Sequence, residues 1–189
     1  MSLSPDKAAR LDALLDKQDI LECLTRFSRG MDRSDRDCYM SAFWSDATLA
    51  AGPFVGTPAE CWDWAVPMHQ AGQLLTHHSL LNCTIAIQGD VAHSETYYIF
   101  VGRNRDESLW QAGGRYVDRL ERRANDAGQA EWRIMMRHNA IEWSCLPPPL
   151  PIPFGDVPDI AVNGISARGP QDVSYIRPLV NRREQQIPG

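Results

Sequence analysis

Two adjacent histidines, His77 and His78, are the side chains of this sequence with the clearest potential for chemistry. They lie where a turn is predicted to enter an apolar strand that runs from Leu80 to Gln88. Neighbouring side chains on a strand point to opposite faces of the sheet. If either face lines a pocket, one imidazole lies in that pocket, and the pattern alone leaves open which histidine it is.

Two other polar residues interrupt apolar or helical patterns. Asp32 follows a predicted helix at an elbow, and Arg137 lies within the predicted strand around Trp132–His138. An aspartate beside a histidine orients the imidazole and stabilises its protonated form, which makes the histidine a better general base. An arginine can stabilise negative charge on a substrate or a leaving group. Spacing alone equally allows each residue to be a cap, a solvated side chain or a structural hydrogen-bonding group.

Local signals predict three helices that would carry or cover these residues. Ser4 and Pro5 suit the start of a first helix, whose apolar residues recur at helical spacing until Gly30 ends it. A second, short helix is predicted from Cys38 to Trp44, capped near Ser34. The third begins at the capping motif Thr57–Glu60 and ends near Ala71–Gly72.

Most of the predicted strands lie after Leu74, where the sequence pattern changes. A short strand is predicted at Ala47–Ala51, and four long ones follow at Leu80–Gln88, Val91–Val101, Ser108–Arg123 and Glu131–Trp143. Short connections make them an antiparallel, strongly curved sheet. Because the helices precede the sheet, the fold class is α+β with helices covering one face.

Composition places the chain among soluble globular proteins. Its 189 residues fit one domain, with 43% hydrophobic and 23% charged residues. A net charge of −5 without a basic run argues against nucleic acid or a membrane surface as partner. The five scattered cysteines are typical of reduced thiols in a cytoplasmic protein, and no metal or nucleotide motif is present. We expect no cofactor and no metal.

The chain changes character after Cys145. The segment Leu146–Phe154 is rich in proline and cannot continue a central strand, since proline supplies no donor to the sheet. Residues 146–189 are predicted to be a docked arm, on this subunit or a neighbouring one, or partly disordered. The apolar residues in the tail favour docking: Phe154, Ile160, Val162, Tyr175 and Ile176.

Several stretches resemble SnoaL-like proteins of the nuclear transport factor 2-like superfamily. They are Arg26–Ala47, Thr76–Asn82, Gly89–Tyr97, Gly114–Leu120 and Trp132–Arg137. The resemblance covers roughly residues 8 to 145. It implies a cone-shaped α+β barrel, in which N-terminal helices close a curved, mixed and mainly antiparallel sheet around a pocket. The corresponding domain is predicted at residues 6–145.

The resemblance also implies a site. Hexachlorocyclohexane dehydrochlorinase and bile-acid dehydratases carry a catalytic aspartate, histidine and arginine that match Asp32, His78 and Arg137, with the histidine four residues before an asparagine. His77 becomes a structural or rim residue. Bile-acid dehydratases have a pocket tyrosine where this chain has Phe27, so the resemblance does not imply a phenol-assisted mechanism. The residues predicted to line the substrate pocket are Phe27, Trp44, Trp64, Asn82, Tyr97 and Met135.

The function expected from this site is a cofactor-independent lyase or isomerase acting on a small, hydrophobic, cyclic molecule. Dehydration, dehydrohalogenation, isomerisation and cyclisation need the same three groups, so they stay open. The alternative is a non-catalytic protein that binds a hydrophobic ligand or acts as a structural subunit like the small subunit of ring-hydroxylating dioxygenases. A homo-oligomer, a dimer or a trimer, is expected because the open sheet face of such folds is apolar.

Overall fold

The computed structural model describes residues 4–148, 150, 159 and 166–180. The helices are α1 (Pro5–Arg33), α2 (Arg36–Met40) and α3 (Pro58–Gly72). The strands are β1 (Phe43–Ala51), β2 (Phe54–Gly56), β3 (Gln73–Gln88), β4 (Val91–Asn104), β5 (Leu109–Ala124) and β6 (Ala130–Cys145). Two 3-10 turns, Gly169–Gln171 and Val173–Tyr175, follow. The docking predicted for Phe154, Ile160 and Val162 concerns positions outside the described residues.

The strands form one mixed sheet in the order β2-β1-β6-β5-β4-β3. β1 and β6 are parallel, and the other neighbouring pairs are antiparallel. The predicted α+β class and the mainly antiparallel sheet are therefore confirmed. The predicted closure of the sheet into a barrel is not confirmed, because β2 and β3 are the two edges of the sheet and do not pair with each other. With only three residues, β2 is too short to complete a closed ladder.

The core lies between the helices and one face of the sheet. α1 packs against β3 and β6, and α3 packs against β1 and β3. The helical side of this core includes Ile20, Leu24 and Phe27, and the sheet side includes Trp132 and Ile134. None of the described helices is long and apolar enough to cross a membrane.

Helix α1 continues past Gly30, where the sequence predicted its end. Ser4 caps its start as expected, accepting from the backbone N–H of Lys7. Its C-terminal cap is Ser34, which adopts the left-handed conformation at φ 52°. Gly30 is needed for close approach instead, because an added Cβ would collide with the backbone of Tyr39 in α2. The glycine therefore lets α2 fold tightly against the last turn of α1.

Replacing Gly30 by alanine is expected to destabilise the protein by about 1–3 kcal/mol, since the new methyl group overpacks the contact between α1 and α2. Gly72 at the end of α3 is the matched control, because a Cβ there would meet nothing within 4 Å. Gly72→Ala should be neutral or slightly stabilising. Urea unfolding of both variants measures the difference, and equal midpoints would contradict this account of Gly30.

The next two helices also differ from the prediction in their bounds. Asp35, the residue after Ser34, caps α2 by accepting from the backbone N–H of Cys38 at 3.0 Å. α2 ends at Met40, so the predicted helical residues Phe43 and Trp44 begin β1. α3 begins as predicted, with Thr57 and Glu60 forming a complete capping box. The capping motif thus identified the start of α3 correctly, whereas the end of α2 was predicted at Trp44 and lies at Met40.

Strand β3 is longer than predicted and contains a bulge. It begins at Gln73, immediately after α3, so the histidine pair lies within the strand and not at a turn. The register with β4 shifts between Leu80 and Cys83, where β3 gains one residue over its partner. Leu80 and Cys83 consequently both pack against the core, which plain alternation does not allow.

Candidate active site

Asp32 of α1 and His78 of β3 form a close pair. Oδ1 of Asp32 lies 2.6 Å from Nδ1 of His78, and Oδ2 accepts from the backbone N–H of His78 at 2.8 Å. Asp32 is buried in the last turn of α1, and the His78 side chain is nearly buried. Both carboxylate oxygens therefore hold the same residue, by its ring and by its backbone.

The position of β3 at the edge of the sheet makes this arrangement possible. An edge strand presents N–H groups without a partner in the sheet, and Asp32 supplies the acceptor for one of them. A carboxylate only accepts, so Nδ1 of His78 carries the proton of the 2.6 Å contact. In the neutral imidazole, Nε2 then keeps its lone pair, which is the form a general base requires.

His78 lies on the wall of a cavity of about 420 Å³. This volume falls in the usual range for small-molecule sites, roughly 300–1,000 Å³. Much of the wall is apolar or aromatic, including Phe27, Met31, Trp64, Met68, Phe100 and Trp110. His69, Asn139 and Arg137 add polar groups to it. Among the described residues, no cluster of three or more His, Cys, Asp or Glu side chains is arranged to hold a metal ion.

Arg137 enters the cavity from β6 with its charge already paired. Its Nε and Nη2 each donate to Asp118 of β5 at 2.7 Å, and the two side chains are almost completely buried. The guanidinium packs against the rings of Phe27 and Tyr116, at 4.0 and 4.4 Å from their centroids. Burial opposes the charge, but the Asp118 carboxylate more than offsets it, so the pKa of Arg137 is raised. Its Nη1 has no hydrogen-bond partner among the described residues.

A second histidine, His69 of α3, also lines the cavity. Its ring centroid lies 6.5 Å from that of His78, with the rings nearly perpendicular. Nδ1 contacts Oε1 of Gln73 at 2.6 Å. Burial lowers the pKa of His69, and the hydrogen bond to Gln73 opposes this only in part.

Within the C-terminal tail, the described segment of residues 166–180 contacts the end of α1 and the cap of α2. Asp172 is buried and accepts from the backbone N–H of Ala167 and Ser174 at 2.9 and 3.0 Å, while Arg33 approaches it at 3.5 Å. The Tyr175 hydroxyl donates to Asp35 at 2.7 Å. Residues 172–175 thus lie against the elbow between α1 and α2.

This docking brings Arg168 close enough to act electrostatically on Asp32 and His69. Burial lowers the pKa of Arg168. Its Nε and Nη2 are buried without a hydrogen-bond partner in the part of the chain that the structure describes. The tail therefore adds a positive charge within electrostatic reach of Asp32.

A family model for the SnoaL-like domain matches residues 12–138. The chain belongs to the SnoaL-like family. No match was found among curated proteins. One similar solved structure is hexachlorocyclohexane dehydrochlorinase LinA type 2, with a TM-score of 0.65 and 15% identity over 76% of this chain and 96% of that one. Another is hexachlorocyclohexane dehydrochlorinase LinA type 3 from Novosphingobium barchaimii LL02, with a TM-score of 0.63 and 16% identity over 73% of this chain and 94% of that one. A candidate scytalone dehydratase from Novosphingobium aromaticivorans DSM 12444 is also similar, with a TM-score of 0.60 and 16% identity over 74% of this chain and 95% of that one. At these identities the likeness establishes the fold alone.

Within this SnoaL-like domain, Phe27 and Trp64 line the cavity, and the other four predicted pocket residues do not. Trp44 donates from Nε1 to the backbone oxygen of Glu121 and lies near two arginine side chains. Tyr97 points outward with Arg115 near its ring, and its neighbour Tyr98 lines the cavity instead.

Two bulges explain the remaining differences. Asn82 lies at the bulge of β3 and is exposed, so it does not share the face of His78. Met135 is the extra residue where the pairing of β6 with β5 shifts between Ile134 and Met136. His77 is exposed, and its Nε2 lies 3.3 Å from the Ser79 hydroxyl.

Sequence reasoning missed His69 and Asp118, although each left a signal. His69 follows Cys61 and Ala65 at intervals of four residues, so it shares their buried helical face. Asp118 lies between Tyr116 and Leu120 in strict alternation and therefore faces the core. A charged residue at a core position requires a partner. Helical and strand periodicity could therefore have identified His69 and Asp118 as candidates.

Proposed function

We propose that this SnoaL-like domain is a cofactor-independent lyase or isomerase that takes a proton from a carbon atom of a small, hydrophobic, cyclic substrate. The observation that carries the proposal is the 2.6 Å contact between Asp32 and His78 at the wall of an apolar cavity. An Asp–His pair in such a place supports general base catalysis, because the carboxylate stabilises the imidazolium that forms.

In the proposed elimination, Nε2 of His78 takes the proton, and the electrons of the C–H bond form the new double bond. The leaving group departs from the neighbouring carbon with its bonding electrons, as hydroxide or halide. Nη1 of Arg137 is the proposed donor to that group. Because Asp118 offsets the charge of Arg137, its contribution is a directed hydrogen bond and not a free positive charge. In an isomerisation the proton would return to another carbon.

The similar structures suggest which leaving groups to test. Two of those described above are hexachlorocyclohexane dehydrochlorinases, whose name denotes loss of hydrogen chloride, and one is a candidate dehydratase. We therefore propose hexachlorocyclohexane and 3-hydroxy-1-tetralone as first substrates. The second loses water to give 1-naphthol, which is followed by fluorescence, and chloride release reports the first.

Asp32→Asn is expected to lower turnover of whichever compound reacts by about 10- to 150-fold, since hydrogen bonds to charged groups contribute about 1.5–3 kcal/mol. Asp37→Asn is the matched control, because Asp37 lies on the exposed side of α2 and should leave turnover unchanged. Full activity in Asp32→Asn would contradict the proposed mechanism.

A second candidate is ligand binding without turnover, which the largely apolar cavity wall favours. In that case calorimetry would detect both compounds binding to the wild-type protein, with neither chloride nor naphthol released. The same pair of measurements separates the two candidates.

A further inference from the structure

His69 gives the cavity a second imidazole, distinct from the pair of Asp32 and His78. It lies at the end of α3, whereas His78 lies on β3, and the two rings meet edge to face across 6.5 Å. The ring of Phe100 lies 5.7 Å from His69 and 4.8 Å from His78, so both histidines adjoin the same aromatic wall.

The contact with Gln73 determines which nitrogen of His69 is free. Oε1 of Gln73 is a carbonyl oxygen and only accepts, so Nδ1 of His69 carries the proton of their 2.6 Å contact. Nε2 then bears a lone pair. It forms no hydrogen bond to any residue that the structure describes.

The other end of the Gln73 amide faces strand β4. Gln73 is buried, and its carboxamide packs on the backbone of Gly102 in β4, where an added Cβ would lie 2.7 Å from Nε2 of Gln73. The amide therefore lies with Oε1 toward His69 and Nε2 toward β4.

The surroundings also favour the neutral form of His69. Burial lowers its pKa, and the positive charges of Arg168 and of a protonated His78 act in the same direction, against the hydrogen bond of Gln73 and the charge of Asp32. A neutral ring with its proton on Nδ1 offers the cavity an acceptor and no donor.

We propose that His69 is a substrate-binding residue that accepts a hydrogen bond from a hydroxyl group, so that the cavity selects hydroxylated ring compounds over their halogenated counterparts. This inference rests on the proposed function, because it assumes that the bound molecule is a substrate. It adds the chemical class of that substrate. A hydroxyl group donates to Nε2 of His69. A halogen has no hydrogen to donate, so a bound halogenated compound leaves the lone pair of His69 at the cavity wall without a partner. Polar sites discriminate strongly against such ligands.

Calorimetric titration with 2-naphthol and 2-fluoronaphthalene tests this, because the two probes differ only in hydroxyl against fluorine. The wild-type protein should bind 2-naphthol about 10- to 100-fold more tightly. His69→Leu should reduce this ratio to near one, His69→Gln should restore part of it, and His77→Leu at the exposed neighbour of His78 should keep it. Since no turnover is measured, failure here is distinguishable from failure of the elimination mechanism.

His78 also offers a nitrogen lone pair, so His78→Ala is measured in parallel. The proposal is supported if the preference for 2-naphthol over 2-fluoronaphthalene is lost in His69→Leu and kept in His78→Ala. Any other combination overturns it. If His69→Leu does not fold, ¹⁵N NMR of the wild-type imidazoles decides instead. 2-Naphthol should then shift Nε2 of His69 and 2-fluoronaphthalene should not; an unshifted His69 resonance with 2-naphthol bound overturns the proposal.

Discussion

His78→Ala is expected to lower the rate of base-catalysed elimination in this cavity by about 10²–10⁴-fold, the usual contribution of a general base. The probe is 5-nitrobenzisoxazole, a flat aromatic compound whose reaction needs only a base. The base takes the proton on carbon, the N–O bond breaks, and a coloured cyanophenolate forms. The probe therefore tests His78 without assuming the natural leaving group.

The neighbouring histidine supplies the control. His77 is adjacent in sequence but exposed, so His77→Ala changes the same residue type and leaves the cavity wall intact. It should retain the wild-type rate. If His77→Ala and His78→Ala lose activity equally, the base is not the imidazole that contacts Asp32.

Asp118→Ala is expected to reduce the free energy of unfolding by about 3–5 kcal/mol, the usual result of removing one partner of a buried ion pair. Only 2% of Arg137 and 1% of Asp118 are exposed. Removal of the carboxylate leaves a buried guanidinium without its counter-charge against the rings of Phe27 and Tyr116. For a domain of this size about 2–4 °C of Tm follows each kcal/mol, so Tm should fall by about 6–20 °C.

An exposed ion pair of the same sheet is the comparison. Arg115 Nε contacts Glu142 at 2.6 Å, but solvent reaches both side chains, so Glu142→Ala should change stability by about 0–1 kcal/mol. Replacing both members of the buried pair, as in Asp118→Leu with Arg137→Met, should recover much of the loss. Equal effects of Asp118→Ala and Glu142→Ala on thermal unfolding would contradict the role assigned to burial.

The fold class and most elements were predictable because their signals are local. Capping at Ser4 and at Thr57–Glu60 identified the starts of α1 and α3 correctly. The apolar runs separated by short turns identified the long strands and their antiparallel pairing. Gly30 shows the limit of such signals, since a glycine that ends a helix and one that admits a neighbouring backbone look the same in the sequence.

The pocket was harder to predict because sheet faces depend on bulges. Plain alternation placed Asn82 beside His78, but one extra residue in β3 reverses the faces between them. Met135 was misplaced by the same effect in β6. A bulge is set by pairing between strands, which no single stretch of sequence records.

The pairing of Arg137 with Asp118 shows a different limit. Arg137 was identified as a candidate from its place in an apolar strand, and Asp118 was not. Their partnership depends on the register of β5 and β6, in which the two residues lie directly opposite each other. The contact of Asp32 with His78 likewise joins a helix to an edge strand 46 residues away.

The most direct test of the account is a double-mutant cycle of Asp32→Asn and His78→Ala, measured as the rate of 5-nitrobenzisoxazole elimination. If Asp32 acts through His78, the double variant should be no slower than His78→Ala alone, because the carboxylate has no imidazole left to orient. Losses that multiply in the double variant, or a His78→Ala variant that retains the wild-type rate, would contradict the assignment of these two residues as one catalytic base.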